Sequence, residues 1–175
     1  MSDSDMKRAS DMSVSKAGLV ERAVKHLLAG YNCAQTTLLC CQELMNMYQE
    51  EVLKSATGFG GGIGNLSDIC GAVAGGVMAI SQKFGRVGLS EEEAERKERT
   101  YQLAAEYLRA FQHAKGSPYC RDLLGVDISD PDTRKAYWTP ENRRKCAEGP
   151  VAAGLTILFE IFQREGALPG KMEDQ

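Results

Sequence analysis

The sequence predicts an all-α protein: one domain built as a helical bundle of roughly five main helices, with short additional helices. Apolar residues recur at helical spacing in several long segments, and no segment alternates with period two for long enough to make a strand. Cap and breaker residues punctuate those segments at their ends. With 175 residues, 43% hydrophobic and 26% charged, the chain can bury one sizeable core.

Residues 1–14 are polar and without periodicity, and read as a disordered lead-in to a single domain over 15–167, with 168–175 as a polar tail. From Ser15, Leu19, Ala23, Leu27 and Leu28 fall on one helical stripe that Gly30 closes. Asn32 caps a second helix carrying Cys33, Thr36, Thr37, Cys40, Leu44 and Met47. A short helix over Glu51–Ala56 leads into the glycine loop Gly58-Phe59-Gly60-Gly61-Gly62-Ile63-Gly64. Asp68 then caps a helix from Ile69 to about Phe84, ended by Gly85.

Ser90 and Glu93 form a capping box that opens the longest helix. It runs to about Ala114 and carries Ala94, Tyr101, Leu103, Ala104, Leu108 and Phe111. Ser117 as cap and Pro118 at the first position start a short helix over Tyr119–Leu124. Residues 125–139 are irregular, with helix-start signals at Asp130-Pro131 and Thr139-Pro140. The last helix begins near Gly149-Pro150, carries Val151, Leu155, Leu158, Phe159 and Phe162, and stops at Gly166 and Pro169.

Composition excludes several functions. A net charge of −3 argues against nucleic acid as a partner, since a phosphate backbone calls for a basic face. The most apolar run, Ile69 to Ile80, falls short of the roughly 18 residues of a membrane span. The N-terminus lacks the apolar core of a secretory signal, which points to the cytoplasm, where thiols stay reduced. Six cysteines there point to metal binding or thiol chemistry before structural disulfides.

The thiols sit in an informative pattern. Cys33 follows the cap Asn32, Cys70 lies two residues after Asp68, Cys120 three after Ser117, and Cys146 shortly before the last helix. Free amides and the helix dipole stabilise an anion at such positions and lower a cysteine pKa. Cys40 and Cys41 lie mid-helix among leucines and read as buried small hydrophobes. No CxxC occurs, so a thioredoxin-like site and a zinc ribbon are absent. His26 and His113 form no HExxH pair. The glycine loop lacks the Lys-Ser/Thr of a phosphate-binding loop.

Together, GYNCAQTTL, GFGGGIG, CGAVAGGVMAI, GSPYCRDLLG and the later Cys146 resemble the C_GCAxxG_C_C family of redox-active proteins over residues 18–165. The resemblance implies Cys33, Cys70, Cys120 and Cys146 as the defining redox-active or metal-ligating thiols, with Cys70-Gly71-Ala72-Val73-Ala74-Gly75 as the CGAxxG motif. Many members carry another cysteine after the LLG; Val126 stands there in this chain. A relative, the split-Soret cytochromes, implies an iron–sulfur cluster in the matching domain, while the lack of CxxCH leaves no place for c-type haem. Gly60, Gly61 and Gly62, with Gly64, are suited to positive φ and would aim amides at thiolate or cluster sulfur. Gly71 and Gly75 share a helix face that admits a close backbone neighbour.

Three readings follow. The first is an iron–sulfur cluster or another thiophilic metal such as zinc, bound by the four cysteines for electron transfer with a redox partner not identified by sequence. The second is a thiol–disulfide oxidoreductase using cysteine pairs. The third is a helical interaction module with no bound cofactor. Glycine-rich helix faces and the split-Soret analogy are compatible with a homodimer. Smaller expectations attach to neighbours: His113 as an accessory ligand or a surface histidine, Tyr137 and Trp138 as a cover for the site or core packing, and Arg143-Arg144-Lys145 as a solvated turn that would favour the Cys146 thiolate.

Overall fold

The computed structural model describes residues 16–169, and the expected lead-in and most of the polar tail lie outside them. In chain order the helices are α1 (Lys16–Ala29), α2 (Cys33–Leu44), α3 (Glu50–Ser55), α4 (Gly71–Phe84) and α5 (Glu91–Lys115). They continue with α6 (Cys120–Leu124), α7 (Pro131–Tyr137), α8 (Pro140–Cys146) and α9 (Ala152–Arg164). The all-α, single-domain bundle is as expected, and α1, α2, α4, α5 and α9 form its body. The one β feature among the described residues is an isolated antiparallel bridge between Ile69 and Tyr119. No described helix is long and apolar enough to cross a membrane.

Local chemistry sets most boundaries. Asn32 accepts from the Gln35 amide at 2.9 Å, and Gln35 Oε1 accepts from the Asn32 amide at 3.4 Å, a complete capping box at the start of α2. That helix ends at Leu44, because Asn46 turns left-handed at φ 51°; Met47, expected inside the helix, lies beyond it. Ser90 Oγ accepts from the Glu93 amide, but the box is only half made. Glu93 Oε2 turns instead to the amides of Val87 and Gly88, at 2.7 and 3.3 Å.

Along α5 the buried stripe is Thr100, Leu103, Tyr107 and Phe111, spaced as one face of a 3.6-residue period. Tyr101, counted with the apolar positions of this helix, is 63% exposed and lies beneath the Lys97 ammonium. Tyr107 takes the interior place. Gly76 of α4 leaves room for its ring, and a Cβ on Gly154 of α9 would stand 2.6 Å from its hydroxyl. The hydroxyl donates to the Ala72 carbonyl at 2.9 Å. Three helices therefore close on one tyrosine, with Leu38, Ile80, Leu155, Leu158 and Phe162 fully buried around them. Each such large side chain contributes about 1.5–3 kcal/mol through the water-exposed area it removes.

The C-terminal third departs most from expectation. Residues 131–137, read as irregular, form α7, capped by Asp130, whose carboxylate accepts from the Thr133 amide at 2.8 Å. Thr139 caps α8 by accepting from the Asn142 amide at 3.2 Å. Both helices carry Pro at the first turn, where its missing N–H costs nothing. The last helix does not begin afresh at Gly149-Pro150. A π-helical turn over Ala147–Val151 contains Pro150 and joins α8 to α9. The wider turn accommodates the proline without ending the helical run.

Candidate functional site: a four-cysteine centre

The glycine loop between α3 and α4 underlies the site. Gly61, Gly62, Ile63, Gly64, Asn65 and Ser67 all have φ between 57° and 74°. This near-continuous left-handed run is costly at the three non-glycine positions. Backbone bonds hold it shut: Gly64 N to Gly58 O at 2.8 Å, Ser67 N to Gly61 O at 3.0 Å, and Asp68 N to Gly62 O at 3.0 Å. Gly60 departs from expectation, with φ −65°. It must be glycine for space instead, since a Cβ there would lie 2.7 Å from Asn32 Cγ.

Cys33 opens α2 directly after the Asn32 cap. Burial pushes its pKa up, while the backbone amides of Gly61, Ala34 and Gly71 and its own pull it down. Gly71 is indispensable to that seat, because a Cβ would run into Cys33 Sγ and stand 2.9 Å from Ala34 N. Gly75, one turn on, admits the Ala34 carbonyl in the same way. The shared face of Gly71 and Gly75 thus meets the start of α2, as their spacing predicted.

Cys70 is the N-cap of α4, and Asp68 is not. Residues 68–70 are taken up by pairing with 118–120. Cys70 N donates to Pro118 O at 2.8 Å, and Cys120 N donates to Asp68 O at 2.7 Å. The same pairing shortens α6, whose cap is Tyr119 rather than Ser117. Ser117 Oγ accepts from the Tyr119 amide and donates to Asp122. A Cβ on Gly62 would touch Cys120 Cβ at 2.8 Å, so Cys120 lies against the loop.

Ser67 is a pin that sequence reasoning missed. Its carbonyl accepts from both the amide and Nε of Arg121, and its hydroxyl accepts from the Ile128 amide at 2.8 Å. Nothing in one sequence distinguishes it from other loop serines. Cys146 arrives on the last turn of α8; the expected place just ahead of a new helix N-terminus is corrected, because the chain continues helically through the π turn.

All four thiols are free and buried. They sense one another: charge on Cys33 and Cys120 raises the Cys70 pKa, and charge on Cys33, Cys70 and Cys120 raises that of Cys146. The expected lowering by helix N-termini is overturned, because desolvation is the largest influence on each and pushes every one up. Cys120 is pushed up to about 12, first by burial, then by Cys33 and Asp127. Cys33 is raised against the pull of its four amides. Arg143 acts on Cys146 in the expected direction but is outweighed.

Burial raises the Tyr137 pKa first, and charge on Cys146 and Cys120 adds to the rise. Its ring stacks edge-on against Trp138, over which Arg143 lies. His113 is exposed. Cys41 is fully buried, as expected. Cys40 is buried too but has company: with His26 and Glu43 it forms a group whose ligand atoms lie within 4.8 Å of one another. The signal available for it was Cys40-x-x-Glu43, one helical face.

Residues 31–158 match a family model described as "Putative redox-active protein (C_GCAxxG_C_C)". A protein of Archaeoglobus fulgidus, described only as uncharacterized, is 32% identical over 133 residues, covering 73% of this chain and 82% of its own. No solved structure gives a significant match.

Proposed function

We propose that this chain, which belongs to the C_GCAxxG_C_C family of redox-active proteins, carries an iron–sulfur cluster on Cys33, Cys70, Cys120 and Cys146 and serves in electron transfer. The observation that carries the reading is the seat of Cys33: one buried sulfur at the start of α2, packed against the Gly71 backbone, with room for it only because residue 71 lacks a Cβ. The backbone amides around it favour a thiolate, and a ligated thiolate gains from such donors where a neutral thiol gains little. The donor set fits as well. Four cysteines reach the centre from α2, α4, α6 and α8 and offer the all-thiolate shell that clusters accept.

Bound there, a cluster supplies one-electron chemistry. The protein's own part is to exclude water by burial and to stabilise sulfur charge through the amides of Gly61, Gly71 and Ala34. It also holds Cys120 to the loop through the Ser67 contacts. In this reading Gly61 and Gly71 act through their amides, Gly60 through the space it leaves, and Gly62 through both space and its positive φ.

Iron, acid-labile sulfide and visible absorbance, measured on anaerobically purified protein, test this. Colourless protein without iron or sulfide refutes it. A second reading draws on the same four free, mutually sensing thiols: a pair of them is oxidised to a disulfide, releasing two protons and two electrons to an acceptor. It requires a mapped disulfide among these positions with a midpoint potential above about −300 mV, since lower values mark structural bonds.

A further inference from the structure

Where α1 meets α2, away from the four-cysteine centre, His26 Nε2 lies 3.1 Å from Glu43 Oε1. With Cys40 Sγ, these atoms fall within 4.8 Å of one another. Cys40 is fully buried, while the His26 and Glu43 side chains keep 15% and 33% of their exposure. The group thus has a thiol floor and a mouth open to water. We propose that His26, Cys40 and Glu43 bind one thiophilic divalent cation of the zinc class, with the fourth coordination position facing solvent.

A tetrahedral zinc with ligands at about 2.0–2.3 Å sets neighbouring donors roughly 3.3–3.7 Å apart. The imidazole–carboxylate pair already stands near that separation, and small rotations of three side chains bring the sulfur in. Thiolate and carboxylate together neutralise a dication, and the soft sulfur favours zinc over magnesium or calcium. Arg22 Nη1 lies 3.9 Å from Glu43 Oε2, which leaves Oε1 for the imidazole side. The thiol proton of Cys40 leaves to solvent as the metal binds. The ion would tie α1 to α2, the helix whose first residue is Cys33.

The test is zinc affinity and stoichiometry of the full, reduced chain by chelator competition, comparing wild type with His26→Gln, Glu43→Gln and Cys33→Ser. One zinc equivalent is expected to weaken by at least roughly tenfold in His26→Gln and Glu43→Gln and to persist in Cys33→Ser. Cobalt in place of zinc is expected to show thiolate charge-transfer absorption that Cys40→Ser removes in part. Helical circular dichroism confirms folding, and should either variant misfold, the other carries the comparison. Unchanged zinc affinity and stoichiometry in the folded variants, or no zinc bound by wild type, overturns the proposal.

Discussion

The two halves of the cysteine centre are built by different means. Cys33 and Cys70 are seated by backbone: a left-handed glycine loop and the close approach of α2 to α4 at Gly71 and Gly75. Cys120 and Cys146 are delivered by short capped helices, a two-residue β pairing and a π turn. The first half tolerates no added atom. The second depends on many weak contacts, each replaceable. Backbone seats therefore set the position of the centre, and caps and turns complete it.

Gly71→Ala strikes the backbone half hardest. Its new methyl meets Cys33 Sγ and Ala34 N, and an expected loss of about 2–3 kcal/mol in urea unfolding follows from overpacking. Gly149→Ala, in the π turn with open space around it, is the control and is expected to stay within about 0.5 kcal/mol. Equal effects would erase the distinction between the halves.

The next effect is one of pH on reduced, metal-free protein. A thiol whose folded pKa exceeds its unfolded value adds stability while protonated. That contribution is complete below the ordinary value of 9.0 and is lost as pH climbs toward about 12 for Cys120. Denaturation midpoints should thus hold steady up to about pH 8.5 and fall through the alkaline range. A rising midpoint would contradict the burial argument. By the same linkage, metal loading is expected to release protons at pH 7, readable in weakly buffered solution with an indicator dye.

Smaller again is Tyr107→Phe, which removes the bond to the Ala72 carbonyl. It is expected to cost about 1 kcal/mol in thermal or urea unfolding while leaving bound iron unchanged. Smallest is Thr139→Ala. Loss of the α8 cap is expected to cost about 1 kcal/mol or less, and to loosen Cys146 before Cys33 in thiol-alkylation rates. If Cys33 reacted first, the backbone-seated half would be the weaker one.

The difference between the halves also explains what was legible in the sequence. Asn32 and Gly30 announce themselves through local chemistry, and the 71/75 glycine pair through its spacing. Their structural roles were readable at once. Asp68 carried the same kind of signal and was overridden, because pairing with residues 118–120 is a long-range event invisible in a local window. The proline at 150 looked like a helix start, yet a π turn absorbs it. Tyr101 and Tyr107 differ only in which face of α5 they occupy, and only the packing of α4 and α9 against that face decides between them. Helix-end reasoning also pointed to low thiol pKa values, whereas burial, which one sequence does not quantify, governs all four.

The central claim is that four thiols distant along the chain share one redox centre. Its most direct test is the low-temperature electron paramagnetic resonance spectrum and iron content of anaerobically purified, reduced protein, taken for wild type, Cys41→Ser and each of Cys33→Ser, Cys70→Ser, Cys120→Ser and Cys146→Ser. The expected result is one cluster signal in wild type and Cys41→Ser that every one of the four single substitutions alters or abolishes. A wild-type signal with full iron in any of those four would contradict the account.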